Sequence, residues 1–384
     1  MRTVVQFGAG NIGRGFMGQV YTEAGYEVVF VDVAAELIAG LNERRRYPLR
    51  LAGPTRFETL TIGPVRAVDG RDIPAVAREL AGCDFACTAV GVPALPHIAP
   101  ALAAGIRERR APLNVILCEN QLHCSDLLRG YLLKELEPDD LREVGLVESV
   151  VSRMVPVVPE EERRRDPLLA VAEDYPMLPV DRTGFVGEPP PVAPFDLVDD
   201  FPAYVERKLY LHNMGHAVAA YLGYAHGRTY IHEALAVPEV RATVAGAMEE
   251  GAEALARKHG FDRELMARHR ADLVRRFENG ALGDTVLRVG RDPVRKLRPE
   301  DRLIGAALTC LDWSVEPEAI VRGIVAALRF DPPNDPGARA VQAVVRESGV
   351  GQALLQFTGQ RPDSELGRRV LAEWERAISH SVQQ

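Results

Sequence analysis

Cysteine, lysine and long apolar runs are what this sequence has least of, and each scarcity excludes a class of protein. The five cysteines (Cys83, Cys87, Cys118, Cys124 and Cys310) are odd in number, and three lie within apolar runs. They read as buried thiols of a reducing compartment, which excludes a disulfide framework. No apolar run reaches the roughly 18 residues needed to cross a bilayer, and no signal-peptide core follows Met1. The N-terminus instead enters Val4, Val5 and Phe7, the pattern of a first strand. A cytoplasmic protein without a membrane partner is the expectation. Positive charge is also short. Lys+Arg is 46 against 54 Asp+Glu, a net charge of −8, whereas a general nucleic-acid binder needs a basic field to displace counterions from phosphate. Hydrophobic residues at 47% and charged residues at 26% exclude a disordered chain.

Only four of the basic residues are lysine: Lys134, Lys208, Lys258 and Lys296. Arginine stays protonated in a protein, whereas a buried lysine can become a base. Lys134 on a polar helix face and Lys258 before His259-Gly260 read as solvated or dipole-complementing charges. Lys208 and Lys296 sit in denser company.

The first 150 residues alternate strand and helix patterns. Strands are expected at Val4–Phe7, Val28–Val31, Phe85–Val90, Val115–Glu119 and Val144–Glu148. Helical spacing marks Ile12–Ala24, Ala34–Asn42, Ile73–Leu80, Leu95–Arg107 and Gln121–Leu136. That alternation predicts a parallel, doubly wound α/β sheet of Rossmann type. Tyr47 to Val65, around Gly53-Pro54 and Gly63-Pro64, reads as a β-hairpin insertion. From Val155 to Pro202 prolines and a charge block, Glu160–Arg165, suggest a crossover, the block being a solvated loop. Beyond Ala203 the pattern is almost wholly helical. The expected organisation is a nucleotide-binding domain over 1–190, with the hairpin near 47–65, and an all-α substrate domain over 191–384.

Gly8-Ala9-Gly10-Asn11-Ile12-Gly13 is a G-x-G-x-x-G between a strand and a helix. The first glycine permits the tight turn, the second lets backbone approach a pyrophosphate, and the third allows close helix–strand packing. Helix N–H groups would receive the phosphates. Asp32 ends the second strand, where a carboxylate accepts from ribose hydroxyls and repels a 2′-phosphate. Val33, Ala34 and Ala35 supply no offsetting cation, so NAD is expected over NADP.

The segment Lys208-Leu209-Tyr210-Leu211-His212-Asn213-Met214-Gly215-His216 opens the helical region. At 100° per residue, Lys208, His216 and Asn213 fall at about 0°, 80° and 140°, on one helix face, with His212 at about 40°. A lysine, an amide and an imidazole converging from one helix can act as base, oxyanion donor and substrate clamp. Spacing alone does not choose between the histidines. A metal site on His212 and His216 would lack the Glu of H-E-x-x-H and a nearby third ligand, so no metal is expected. Polar residues at a domain interface are the bland alternative.

Phe7-Gly8-Ala9-Gly10-Asn11-Ile12-Gly13-Arg14-Gly15, the K-x4-N-x2-H element and Cys118-Glu119-Asn120 together resemble the polyol-specific long-chain dehydrogenases. The resemblance runs essentially end to end. It includes Glu206-Arg207-Lys208-Leu209, Gly246-Ala247-Met248-Glu249-Glu250, Arg288-Val289-Gly290-Arg291 and Arg295-Lys296-Leu297. It departs at Val151-Ser152-Arg153, where relatives often carry Val-Asp-Arg. The resemblance implies Lys208 as general base, Asn213 and Asn120 as donors to the forming carbonyl oxygen, and His216 as holder of a neighbouring hydroxyl. A turn residue capping the next helix is the plain alternative for Asn120.

The implied activity is reversible NAD-linked oxidation of D-mannitol 1-phosphate to D-fructose 6-phosphate, without a metal. The substrate would be a small sugar or polyol phosphate, and a monomer is expected ahead of a dimer. An unphosphorylated polyol 2-dehydrogenase or a hexuronate reductase is the sister alternative, and a non-catalytic NAD-binding redox sensor the alternative from another class. Arg288, Arg291, Arg295 and Lys296 pack four cations into nine positions of an acidic chain. With Gly290 and Pro293 breaking a long helix, a bent loop could turn them toward a substrate phosphate; a solvated basic turn is the plain alternative. The resemblance puts Arg288 and Lys296 on the substrate side.

Overall fold

The computed structural model describes residues 1–53, 57–121 and 123–382. Pro54 of the expected turn and Leu122 of the expected helix lie outside these. The chain forms two compact units, residues 1–204 and 205–384.

In the first unit eleven strands are described: β1 (Arg2–Phe7), β2 (Tyr26–Asp32), β3 (Tyr47–Ala52), β4 (Phe57–Ile62), β5 (Val65–Asp69), β6 (Phe85–Thr88), β7 (Leu113–Leu117), β8 (Val144–Glu148), β9 (Ala170–Glu173), β10 (Leu178–Asp181) and β11 (Phe195–Val198). Six form one parallel sheet in the order β5-β2-β1-β6-β7-β8. Numbered among themselves these strands run 3-2-1-4-5-6, the doubly wound dinucleotide-binding order.

The apolar runs are nearly continuous because both sheet faces are covered, and alternate side chains enter two cores. Val4, Val28, Phe30, Phe85 and Cys87 face one core, closed by the helical segment from Gly13 to Glu23 and by Tyr47, Leu49 and Leu168. Val5, Phe7, Val29, Val31 and Ala86 face the other, closed by helices Ile73–Gly82, Leu95–Glu108 and Cys124–Leu132. All five cysteines are buried free thiols.

Strands β3 and β4 form an antiparallel pair, and β9 joins β3 in parallel. Two local expectations are corrected. The charge block Glu160–Arg165 is a short helix rather than a loop, its acids in the first turn, its arginines in the last, and Glu160–Arg164 and Glu161–Arg165 paired across one turn. That is the charge order a helix dipole favours. Strand β7 ends at Leu117, so Cys118, Glu119 and Asn120 already belong to the loop at its carboxyl end.

The second unit is helical. Helix Met214–Ala225 is its axis: Val218, Ala219, Ala220 and Tyr221 are all fully buried, as expected of a helix apolar on every side. Around it pack helices Pro238–His259, Glu318–Leu328, Val286–Gly290 and Ile231–Leu235. Glu250, within the Gly246–Glu250 element, accepts from Ala319 N–H (2.7 Å) and Ile320 N–H (3.0 Å) and so caps helix Glu318–Leu328. Among the described residues no helix is long and apolar enough to cross a membrane.

Candidate active site

At the nucleotide end the three glycines do different work. Gly8 has φ +88°, and a Cβ there would lie 2.5 Å from the Ala89 carbonyl oxygen. The loops after β1 and β6 therefore approach each other across the point where strand order reverses. A Cβ on Gly13 would lie 1.9 Å from the Gly8 oxygen, whereas one on Gly10 would meet nothing within 4 Å. Protein packing dictates the first and third glycines and leaves the second open, the condition a pyrophosphate needs.

Asp32 ties this loop to the end of β2. Its Oδ2 accepts from Ala9 N–H at 2.8 Å, and its Oδ1 from Val33 and Ala34 N–H at 2.7 and 3.0 Å. Arg14 braces the far side, donating to the carbonyls of Ala9 (2.6 Å) and Leu168 (2.5 Å). Asn11 is exposed and Ile12 half-buried at the helix start. At the carboxyl end of β7, buried Glu119 accepts from Val90 N–H (3.0 Å) and Gly91 N–H (2.8 Å), joining the β6 and β7 loops. Asn120 follows it and is exposed.

In the helical unit, Lys208–Asn213 is a π-helical turn between Phe201–Arg207 and Met214–Ala225. Its wider winding replaces the uniform 100° step behind the expected angles, and such turns recur at functional sites. Lys208 is half-buried; burial, aided by the positive charge of Arg302, holds its ammonium down to about 8. Arg302 is itself nearly buried, its Nε on Asp301 Oδ1 at 2.8 Å. Helix Ile304–Asp312 packs on the π turn because Gly305 leaves room: a Cβ there would sit 2.7 Å from the Tyr210 ring.

The two histidines separate clearly. His212 is buried against Phe277, and burial followed by the charge of Arg276 pushes its titration well below the usual imidazole range. His216 stacks on the same Phe277 ring (4.7 Å between centroids, 8° between planes) and places Nε2 3.0 Å from Asp284 Oδ2. No cluster of three His, Cys, Asp or Glu side chains suited to a metal occurs among the described residues.

The four cations of residues 288–296 do not turn toward one point. Arg288 pairs with Asp284. Lys296 is buried and donates to the Arg291 carbonyl, and burial, with Arg302 and Arg295 nearby, lowers it to about 7. Arg291 and Arg295 remain exposed, Arg295 lying 3.6 Å from Asp292. Two short helices, Val286–Gly290 and Pro293–Lys296, split the segment, and of its four cations Arg288, Arg291 and Arg295 are exposed while Lys296 is buried.

Residues 2–193 match the mannitol dehydrogenase Rossmann domain and residues 200–369 the mannitol dehydrogenase C-terminal domain. The chain belongs to the mannitol dehydrogenase family. It is an oxidoreductase of the kind that acts on a CH–OH group. It is 40% identical to the mannitol-1-phosphate 5-dehydrogenase of Brevibacillus brevis, over 96% of this chain and 98% of that one. Its fold matches Pseudomonas fluorescens mannitol 2-dehydrogenase, solved as a ternary complex with NAD and D-mannitol (TM-score 0.76, 20% identity, covering 100% of this chain and 93% of that chain). It also matches a D-sorbitol dehydrogenase in substrate-free form (TM-score 0.79, 17% identity, 97% and 92%).

For this mannitol dehydrogenase family member, sequence reasoning missed Asp284, Glu119 and Arg302. Glu119 stood inside a motif already singled out. Asp284 and Arg302 flank the cationic segment, but nothing local marks them as partners of His216 and Lys208. Replacing Arg302 by Gln removes a like charge from beside Lys208 and should raise the lysine's pKa above about 8. Reductive 13C-methylation with NMR titration of the lysine signals measures this, with only four lysines to resolve. An unchanged Lys208 titration would show that burial alone sets it.

Proposed function

We propose that this dehydrogenase interconverts D-mannitol 1-phosphate and D-fructose 6-phosphate, with NAD as its cofactor. The observation that carries the reaction is a half-buried lysine held near 8 by burial and Arg302, on the same helix as Asn213 and His216. The phosphorylated substrate is supported by likeness to the relative named for it and by two exposed arginines, Arg291 and Arg295.

NAD when bound supplies the nicotinamide that exchanges hydride with the substrate carbon. The residues proposed to hold it are Gly8, Ala9, Gly10, Asn11, Ile12, Gly13 and Asp32. Ala9 N–H is already taken by Asp32, so the phosphates fall to the N–H groups at the helix start, beside the open face of Gly10. Asp32 has lone pairs left for ribose hydroxyls and opposes a 2′-phosphate. Asp32→Ser should therefore narrow the ratio of kcat/KM for NAD over NADP. A wild type equally active with both would remove that role.

Neutral Lys208 takes the proton from the substrate hydroxyl as the carbon is oxidised. The amides of Asn213 and Asn120 donate to the oxygen as it becomes a carbonyl, and fixed donors of this kind stabilise developing negative charge. His216 holds an adjacent hydroxyl. Lys208→Ala should cut turnover by roughly 10²- to 10⁴-fold, the usual worth of a positioned acid–base group. Its dissociation constant for NADH, measured by fluorescence, should stay unchanged. Because only the neutral amine is a base, wild-type oxidation should rise with pH through about 8. Activity unaffected in Lys208→Ala would end the assignment.

Planar arginines suit phosphate, and charge-assisted hydrogen bonds contribute about 1.5–3 kcal/mol each. Arg291 and Arg295 are proposed as its donors, and Arg288 and Lys296 as further cations on the substrate side. NADH oxidation measured side by side with fructose 6-phosphate, fructose and a hexuronate tests the substrate class. Fructose 6-phosphate should be preferred, and Arg295→Ala should lose about 10- to 100-fold in kcat/KM on it with little change on fructose. Preference for fructose or the hexuronate would move the protein to a sister activity. NADH binding with no turnover on any of the three would make it a sensor.

A further inference from the structure

Asp284 is a nearly buried carboxylate with two partners. One oxygen lies 3.0 Å from His216 Nε2, and the other accepts from Arg288. Its backbone is fixed independently of either. Ile231 N–H donates to the Asp284 carbonyl and Val286 N–H to the Thr229 carbonyl, each at 2.9 Å, so an antiparallel bridge pins 284–286 to 229–231. Burial alone would push the carboxyl up, but His216 and Arg288 outweigh it and hold it below the ordinary range. It is therefore a carboxylate, which can only accept. The His216 ring plane is set by its stack on Phe277. His216 Nε2 is buried and lies 3.0 Å from Asp284 without meeting the geometry of a hydrogen bond, and such contacts commonly tighten once substrate is present.

We propose that Asp284 is a positioning residue: it keeps the proton of neutral His216 on Nε2 and so presents the Nδ1 lone pair to a substrate hydroxyl, with Arg288 holding Asp284 in register. The inference rests on the reading of the site given above. A salt bridge to Arg288 alone would need no imidazole. The second contact has the form by which a carboxylate selects one histidine tautomer for catalysis.

Asp284→Asn is the discriminating variant. Arg288 can only donate, so the new amide turns its oxygen to Arg288 and its NH2 to His216. A donor facing Nε2 drives the ring proton to Nδ1 and withdraws the acceptor from the substrate. Two-bond 1H–15N spectra of histidine-labelled protein report the tautomer directly. They are recorded at about pH 8.5, where an ordinary imidazole is neutral, and His216 is assigned by loss of its signals in His216→Gln. Wild type should show Nε2–H and Asp284→Asn should show Nδ1–H. The variant should lose about 10- to 100-fold in kcat/KM for the sugar while its KM for NADH is unchanged. Asp284→Asn combined with Arg288→Met frees the amide to turn, and should return His216 toward Nε2–H.

A wild-type spectrum with Nδ1–H overturns the proposal even if no variant folds, and so does a tautomer unmoved in Asp284→Asn. The spectra do not depend on which sugar is turned over. An Nε2–H wild type that reduces no ketose therefore sinks the reaction, not the tautomer assignment. A loss of activity with no change of tautomer makes Asp284 merely structural.

Discussion

A lysine held partly out of water beside a permanent cation is the constraint around which the helical unit is built. Two positive charges in each other's field repel, and desolvation adds to the cost of the charged lysine. The fold accepts this at Lys208 and Arg302 and answers it locally. Asp301 anchors the Arg302 guanidinium from the preceding residue. Gly305 then lets the next helix close on Tyr210, so the cation stays near the π turn that carries Lys208. The same guanidinium depresses Lys296, whose ammonium turns to a backbone carbonyl rather than to an acid.

The nucleotide-binding unit solves a complementary problem with carboxylates. Its strands end in loops whose backbone N–H groups need partners, and two acids supply them across strand boundaries. Asp32 links β2 to the glycine loop after β1, and Glu119 links the loop after β7 to that after β6. These ties lie at the carboxyl ends of the strands around the reversal of strand order, where ligands collect in such sheets. Each acid therefore stiffens the loops nearest the place of binding. For Asp32 this also limits how much of the carboxylate remains for a ribose, since both oxygens already accept from backbone.

The doubly wound sheet was legible because its strands are buried on both faces and read as near-continuous apolar runs, such as Val28–Val31. The three roles of the glycine triplet were legible because each follows from covalent geometry. Strand ends were less so: Cys118 and Glu119 are buried and continue the apolar character of β7 past its last ladder residue. Glu160–Arg165 read as a loop because it has no apolar face; only its charge order and ion pairs make it a helix. In the candidate site, Lys208, Asn213 and His216 could be grouped by spacing, yet the π turn could not be foreseen from a uniform 100° step. What separates His212 from His216 was invisible, since Asp284 and Phe277 reach them from distant parts of the chain. The cationic segment misled by density. Four cations in nine positions suggested convergence, but a break at Gly290 and a restart at Pro293 divide them between interior and surface.

Where the chain retains lysine is itself informative once the surroundings are known. Lys258 pairs with Glu206 at 2.8 Å and Lys134 lies over the Tyr131 ring, roles in which arginine would do as well. Lys208 and Lys296 are different: both are depressed by burial, and both stand in the field of Arg302. Arginine at either position would remain charged at any pH the protein meets, because its guanidinium does not give up a proton. A place that needs a permanent cation and a titratable amine side by side must use one of each. Arg302 beside Lys208 has that composition, and exchanging the two would reverse which nitrogen could lose its proton.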